Sequence, residues 1–270
     1  MRPGITIRPL RTDAELSACV ALQRLTWGES FGDLVPPSIL TVVQKIGGVA
    51  AGAFAARGTM LGFVFGMAGV RNGRLVHWSD MLAVHPSARD SGVGRALKEF
   101  QREQALASGA TTMYWSFDPL VARNAHLNFN LLGVRIDEYV EDMYGESTSD
   151  LHRGLGTDRL VVAWELTEGG RGRGPATAVV GTAVPDAWSL APIIPEDPET
   201  SGGDVPRALR VAIPSDIMQV RDEHPEEAAR WRASTRRAFQ WALAHGYTVS
   251  RFLAAAPASW YLLERAEEQR

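Results

Sequence analysis

One loop constrains this chain more strongly than any other part of its sequence. It follows the apolar run of residues 75–84 and precedes residues 93–108, whose apolar positions have helical spacing. Gly92 and Gly94 lie in the turn where this helix begins. The first N–H groups of a helix have no partner within the helix, and the helix dipole favours an anion there. The segment therefore predicts a strand, a loop and a helix that together bind a phosphorylated ligand.

The spacing of the loop residues separates three kinds of phosphate-binding loop. The G-x4-G-K-[ST] loop of nucleotide hydrolases is absent from the sequence. A dinucleotide-binding fingerprint needs a third glycine, but Leu97 holds that position, and seven residues separate the preceding apolar run from Gly92. The sequence Arg89-x-x-Gly92-x-Gly94 instead matches the pattern R/Q-x-x-G-x-G/A at every specified position. Arg89 and Arg95 can bond phosphate oxygens, which indicates a pyrophosphate.

The composition is that of a globular chain without a strong overall charge. The 270 residues include 28 basic and 31 acidic side chains, so the formal net charge is −3. This balance predicts neither nucleic acid nor a membrane as a partner. The single cysteine, Cys19, excludes an intrachain disulfide, and the six histidines lack metal-ligand spacing, so no metal is expected. Because the sequence near Met1 does not resemble a secretory leader, we expect a cytoplasmic protein.

Apolar periodicity predicts the order of elements in the first part of the chain. Asn72 and Gly73 form the strongest short hairpin signal, so the strands on either side should be antiparallel. Thr12 and Glu15 have the spacing of a capping box at the start of the first helix. The predicted strands are 5–10, 49–55, 60–68, 75–84, 111–117, 134–144 and 159–166, and the predicted helices are 13–27, 36–47, 93–108 and 121–132.

The rest of the chain divides into a connector and a second unit. Residues 169–206 contain seven glycines and six prolines, which is typical of a linker. Beyond them the sequence predicts a β-α-β unit with strands at 209–213, 249–254 and 260–263 and a helix at 225–245. The predicted domains are 1–168, the connector 169–206 and the C-terminal unit 207–270. A unit this small is marginal alone, so it is expected to pack on the first domain or on a dimer partner.

The loop and the order of elements between residues 5 and 166 resemble the GNAT superfamily of acyltransferases. The resemblance implies an α/β (α+β) fold with a mixed central sheet, splayed fourth and fifth strands and flanking helices, here with a C-terminal β-α-β extension. It also implies acetyl-CoA or another acyl-CoA as co-substrate, with pantetheine in the gap between the splayed strands. The cofactor-binding residues implied by their positions are Leu82, Ala83, Val84, Arg89, Asp90, Ser91, Gly92, Val93, Gly94, Arg95, Phe117 and Asn124.

A subgroup resemblance and one departure refine this picture. Stretches between residues 115 and 160 are similar to a bacterial GNAT subgroup that keeps a C-terminal extension, and some relatives of that subgroup are associated with succinyl transfer to amino acids. Phe129 takes the place of the family's tyrosine, with Gly133 four residues later as the pattern requires. Phenylalanine cannot protonate a departing thiolate. Either the thiolate leaves to water or the proton comes from another tyrosine: Tyr144, Tyr139 or Tyr114.

The implied reaction needs a base, because an ammonium is not a nucleophile at neutral pH. Asp80 is the first candidate, and its competitors are Glu146, His77 and His126. The predicted catalytic residues are Asp80, Tyr144 and Glu146. The predicted function is acyl-CoA-dependent N-acylation, with an acetyl or succinyl donor, of a small amine or amino acid, by a chain that acts alone or as a homodimer. The alternative is a non-catalytic coenzyme A-binding sensor or assembly protein.

Overall fold

Two β-sheets organise the residues that the computed structural model describes, which are 4–150, 154–166 and 206–265. Seven strands form the first sheet in the order β1-β2-β3-β4-β5-β7-β6, and three form the second in the order β8-β10-β9. The strands are β1 (Thr6–Pro9), β2 (Val49–Phe54), β3 (Met60–Arg71), β4 (Arg74–Val84), β5 (Thr112–Phe117), β6 (Arg135–Val140), β7 (Arg159–Glu165), β8 (Ala208–Pro214), β9 (Tyr247–Leu253) and β10 (Ala258–Arg265).

Most predicted helices form, with two differences. The helices are α1 (Asp13–Trp27), α2 (Pro37–Lys45), α3 (Val93–Ala107), α4 (Ala122–Ala125), α5 (Ile217–Glu223) and α6 (Pro225–Ala244). The helix predicted at 121–132 is α-helical only in α4 and continues as a π-helix over His126–Leu132. The sequence did not predict α5, a seven-residue helix capped by Asp216. Among the described helices, none combines the length and apolar composition needed to cross a membrane.

Apolar layers cover both faces of strands β2 to β4. On one face, buried residues of α1 and α2, such as Cys19 and Leu40, pack with Phe63 of β3. Burial raises the pKa of the Cys19 thiol to about 12, which identifies this cysteine as a core residue. On the other face, Leu97 of α3 packs with Val64 of β3.

A β-bulge in β4 changes which residues face α3. Met81 pairs with Phe65 of β3 and Ser79 pairs with Gly66, so Asp80 between them has no partner on β3. Beyond the bulge, Leu82 packs in the cluster that includes α3, whereas before it Ser79 faces that helix. The extra residue thus shifts the inside-outside alternation of the strand by one position.

Strands β4 and β5 are parallel but pair over a short distance. Their register contains three residue pairs and ends at Trp78 and Tyr114. β4 continues to Val84, so its last six residues lie beyond the paired segment. This partly unpaired parallel contact, within a mixed sheet and with a separate C-terminal sheet, confirms the predicted fold class.

Two compact units divide the described residues. Unit 1 comprises residues 4–115, 147–150 and 163–166, and unit 2 comprises residues 116–146, 154–162 and 206–265. The C-terminal elements therefore share a unit with residues 116–146. The predicted connector 169–206 lies outside the described residues except for Pro206.

A buried ion pair joins the C-terminal elements to the rest of unit 2. The two terminal nitrogens of Arg232 on α6 donate to the two carboxylate oxygens of Asp118 at distances of 2.9 and 2.6 Å. Arg232 Nε also donates to the Leu155 carbonyl at 2.8 Å. Both charged side chains are almost fully buried. Arg232 therefore belongs to the interior of unit 2 and not to the solvent-exposed face of α6.

Further hydrogen bonds join the C-terminal strands to the rest of unit 2. The Asn130 side chain accepts from the Phe252 N–H at 3.0 Å and donates to the Phe252 carbonyl at 2.7 Å, as a neighbouring strand would. The Tyr261 hydroxyl donates to the Pro119 carbonyl at 2.6 Å. Strands β9 and β10 are thus bonded directly to residues 119–130.

The Arg232 ion pair gives a stability prediction. Replacement of Arg232 by leucine leaves the Asp118 carboxylate buried without its main cationic partner, which should lower the free energy of unfolding by about 3–5 kcal/mol. Arg230→Leu is the matched control, because Arg230 is exposed on the same helix. Urea unfolding of both variants measures the difference. Equal stability of the two variants would show that the ion pair does not hold the C-terminal elements.

Candidate active site

The loop between β4 and α3 has the geometry of an anion site. Pro86–Ala88 form one 3-10 turn, and Gly92 then adopts φ +82° as the residue that precedes α3. Only glycine adopts this left-handed backbone without strain. No side chain of the described residues caps α3, and its first turn contains no acidic residue. Its leading N–H groups are therefore available to a phosphate.

Two exposed arginines flank this helix start. Arg89 has no ion-pair partner among the described residues. The Arg95 guanidinium lies 3.7 Å from Glu99, and both side chains are about half exposed. Such a surface pair contributes little to stability, so a phosphate can compete for the guanidinium. Between the arginines, Asp90 is exposed at φ +56°, and the Ser91 hydroxyl donates to the Ala88 carbonyl at 2.5 Å.

The unpaired end of β4 leads into this loop. The His85 N–H donates to the Leu61 carbonyl on β3 at 2.8 Å. In an antiparallel pair, backbone groups alternate between the two edges of a strand. Ala83 therefore directs its backbone groups toward β3, whereas Leu82 and Val84 direct theirs toward the opposite edge, beyond the segment paired with β5. Of these three predicted residues, Leu82 and Val84 have the backbone groups that a ligand at this edge can reach.

Asp80 is an exposed carboxylate at the bulge. Neighbouring atoms crowd its carboxyl group, and this partial desolvation raises its pKa. A hydrogen bond from the Trp78 side chain opposes this shift, and the nearby negative charge of Asp33 adds to it. A carboxylate with a raised pKa is a better proton acceptor than an ordinary aspartate, which suits a general base.

His77, a competing base, is a buried structural residue. One of its ring nitrogens lies 3.1 Å from Gln101 Nε2, and the residue is 1% exposed. Burial lowers the His77 pKa to about 4, and the nearby charge of Lys98 adds to this shift. His77 therefore has no access to a substrate.

In unit 2, Tyr144 presents an accessible hydroxyl. Its OH lies 2.8 Å from the Ser116 hydroxyl near the end of β5, and the residue is 46% exposed. The guanidinium of buried Arg159 lies 5.2 Å from the centre of the Tyr144 ring. A tyrosine held in this way can exchange a proton with a ligand.

The other two candidate tyrosines, Tyr139 and Tyr114, are held by contacts within the fold. Tyr139 donates a 2.5 Å hydrogen bond to Asp158, and burial and that carboxylate raise its pKa. In unit 1, the Tyr114 ring lies beneath the Arg71 guanidinium at 4.7 Å. Of the three tyrosines considered from the sequence, Tyr144 is the exposed one.

Two further base candidates lie on the surface of unit 2. His126 is exposed, and its Nδ1 lies 3.0 Å from Asn130 Nδ2. Glu146 is also exposed and has no hydrogen-bond partner among the described residues. Neither environment distinguishes these side chains as proton acceptors.

Solved acetyltransferase structures are similar to this chain. The ribosomal-protein-S18-alanine N-acetyltransferase of Escherichia coli is 18% identical with a TM-score of 0.47, over 62% of this chain and 97% of that one. A GNAT-family acetyltransferase of Streptococcus pneumoniae is 19% identical with a TM-score of 0.47, over 60% and 99%. An aminoglycoside 6′-N-acetyltransferase complexed with coenzyme A is 15% identical with a TM-score of 0.45, over 60% and 98%. Neither a protein-family model nor a curated protein matches the sequence.

The first sheet and its helices have the mixed architecture, with β4 and β5 parallel and only partly paired, that the sequence resemblance implies. The strand order, the bulge at Asp80 and the three-pair contact between β4 and β5 support this conclusion directly. The C-terminal sheet of β8 to β10 is additional to it.

Phe129, which stands where the pattern that the sequence resembles has a tyrosine, belongs to an aromatic core. The Phe129 ring packs edge-on against Phe117 at 6.1 Å and against Tyr261 at 5.8 Å between ring centres. A hydroxyl here would need a buried partner, which explains the phenylalanine. Phe117 therefore faces the core with its ring. Asn124 is half-buried in the first turn after β5 and forms no side-chain hydrogen bond with a described residue.

Sequence reasoning missed several residues around these groups. Asp33 and Trp78 modify the Asp80 carboxyl, and Ser116 bonds Tyr144. Asp33 and Trp78 belong to no motif, and Asp33 lies far from Asp80 in the sequence. Trp78 lies two residues before Asp80, so the alternation of side chains along β4 would place both on the same face. This signal was only partial, because the bulge interrupts the alternation.

Proposed function

We propose that this protein transfers an acyl group from acyl-CoA to the nitrogen of a small amine or amino acid. Among the described residues, no side chain caps the helix start at Gly92 and no strand pairs with the outer edge of β4 beyond Trp78, and this combination supports the proposal most strongly. The first feature suits a pyrophosphate, and the second suits an extended amide-containing arm. Coenzyme A contains both groups in one molecule.

The chain's own residues have separate tasks in this proposal. Arg89, Arg95 and the first turn of α3 bind the pyrophosphate, with Asp90, Ser91 and Val93 shaping the loop. Leu82 and Val84 bond the amides of pantetheine. Asn124 supplies an amide to the cofactor from the first turn after β5. Acetyl-CoA or another acyl-CoA is the co-substrate, and the protein needs no covalent acyl-enzyme for this reaction.

Proton transfer completes the reaction. Asp80 takes a proton from the substrate ammonium, which frees the lone pair of the amine. The amine nitrogen then bonds to the thioester carbonyl carbon and loses its second proton to solvent, and the carbon–sulfur bond breaks to leave the amide and a thiolate. Tyr144 gives its hydroxyl proton to the departing thiolate, and solvent restores it. Glu146 is an exposed carboxylate that can assist in binding the amine.

One assay tests the function as a whole. Purified full-length protein is incubated with acetyl-CoA or succinyl-CoA and a panel of amines and amino acids, and the release of thiol is measured with calorimetric binding of coenzyme A in parallel. Thiol release that depends on an amine supports the proposal. Binding of coenzyme A without turnover of any amine would favour the non-catalytic sensor or assembly protein. Absence of binding would reject both functions.

Gly94→Glu tests the placement of the phosphates. A Cβ at Gly94 would lie 3.5 Å from Val84 Cγ2, an ordinary contact, so a side chain fits the fold. A carboxylate in the first turn also favours the helix dipole. Its charge should repel the pyrophosphate and weaken coenzyme A binding by about tenfold or more, as measured by calorimetry. Gly94→Ala, which adds the Cβ without the charge, is the control and should bind more tightly than Gly94→Glu.

Asp80→Asn tests the proposed base. It should lower kcat by about a hundredfold and leave the Kd for acyl-CoA unchanged, because a base acts on the amine. Asp33→Asn is the companion variant. Removal of the Asp33 charge should lower the raised pKa of Asp80, so the acidic limb of the rate profile should move to lower pH. A wild-type rate in Asp80→Asn would reject this carboxylate as the base.

Tyr144→Phe tests the proposed acid. It should lower kcat by roughly a hundredfold, while Tyr139→Phe should affect stability more than the chemical step. Initial rates at saturating acyl-CoA and amine give kcat for both variants, and thermal unfolding gives their stability. An unchanged kcat in Tyr144→Phe would mean that the thiolate leaves to water.

A further inference from the structure

Lys98 occupies an unusual position within unit 1. This lysine on α3 is 3% exposed, and its Nζ donates to the Ser79 hydroxyl at 2.6 Å. The same nitrogen lies 3.9 Å from the centre of the Trp115 ring. Both partners are also buried. A buried amine is costly unless its protons have partners, so a position that keeps one needs an explanation beyond packing.

The two partners of Lys98 belong to the first residue pair that fails to form between β4 and β5. The parallel register pairs His77 with Met113 and Trp78 with Tyr114, and it ends there. The next pair in the same register would be Ser79 with Trp115. Lys98 bonds the hydroxyl of one and contacts the ring of the other. It thus binds both residues at the point where the strands part.

The surroundings of Lys98 preserve this arrangement. One turn along α3, Gln101 meets His77 on β4 at 3.1 Å. A Cβ on Gly66 of β3 would lie 2.4 Å from His77 Nε2 and 2.5 Å from Gln101 Nε2, so a side chain there would displace them. Among the ion pairs of described residues, none involves Lys98. The desolvated amine therefore depends on Ser79 and the face of Trp115.

We propose that Lys98 is a positioning residue that fixes the apex of the β4–β5 gap and so sets the fit of the pantetheine arm. This inference rests on the proposed function, because it assumes that acyl-CoA enters beside β4. Lys98 does not touch the reacting atoms in this role. It holds Ser79 and Trp115 to α3 instead of to each other, which keeps the backbone edge from Leu82 to Val84 open to the arm.

The test compares two ligands that share the phosphate loop. Coenzyme A carries the pantetheine arm, whereas 3′-phosphoadenosine 5′-diphosphate carries the same nucleotide and pyrophosphate without it. In Lys98→Met, the Kd for coenzyme A should rise about tenfold, while the Kd for the truncated nucleotide should stay unchanged. A general loss of structure would weaken both ligands equally. Calorimetry measures both constants on the full-length protein.

Arg102→Met is the control for a cation over an aromatic ring on the same helix, at a position that is half-buried. Arg102 lies one turn further along α3, with its guanidinium 5.6 Å from the Trp164 ring on β7. It should lower stability without changing the ratio of the two dissociation constants. Ser79→Ala removes the hydrogen-bond partner of Lys98 and should raise the same ratio, so it replaces Lys98→Met if that variant does not fold.

The outcomes separate the two proposals. If the wild-type protein binds neither ligand, the proposed function fails and this inference with it. If the wild-type protein binds coenzyme A but Lys98→Met and Ser79→Ala leave the ratio unchanged, the role of Lys98 is rejected while the proposed function stands. A selective loss of coenzyme A binding in either variant supports the inference.

Discussion

The early end of the β4–β5 pairing is the constraint on which the rest of the first unit depends. A parallel pair normally continues as long as both strands do, yet this one stops at Trp78 and Tyr114. The bulge at Asp80 shifts the alternation of β4 immediately afterwards. Because no described strand pairs with that edge beyond Trp78, the backbone groups there remain unpaired by β5 up to the loop before α3. One interruption thus creates the edge that leads to the proposed anion site.

The interruption is stabilised by polar side chains in a place that apolar ones would usually fill. Lys98, Ser79, His77 and Gln101 are all buried between α3 and β4. A buried polar group without a partner costs about 1–3 kcal/mol, and these four side chains offset part of that cost by bonding in two pairs. Gln101 Oε1 has no hydrogen-bond partner among the described residues. Such pairs have strict geometry, so they fix one arrangement of the strands where apolar packing would permit several.

In unit 2, polar and aromatic contacts attach the C-terminal segment, which is too small to form a large core by itself. Asp118 and Arg232 form a bidentate buried pair, and Tyr261 packs against Phe129. Arg236 extends the network to buried Asp158 at 2.6 Å. These contacts make Phe129 part of an aromatic core, at the position where the pattern that the sequence resembles has a tyrosine. The C-terminal segment supplies Tyr261, one of the rings that pack against Phe129.

The sequence by itself determined the elements whose signals are local. Glycines at a helix start, an Asn-Gly hairpin and apolar periodicity each depend on neighbours within a few residues, so they predicted the loop and the antiparallel strands. The fold class followed from the family resemblance that these elements carry. Tertiary structure alone decided which charges are paired. Nothing near Arg232 in the sequence indicates Asp118, and nothing near Lys98 indicates Ser79 and Trp115. The physical reason is that the free energy of a buried charge depends on groups that only the folded chain brings within hydrogen-bonding distance.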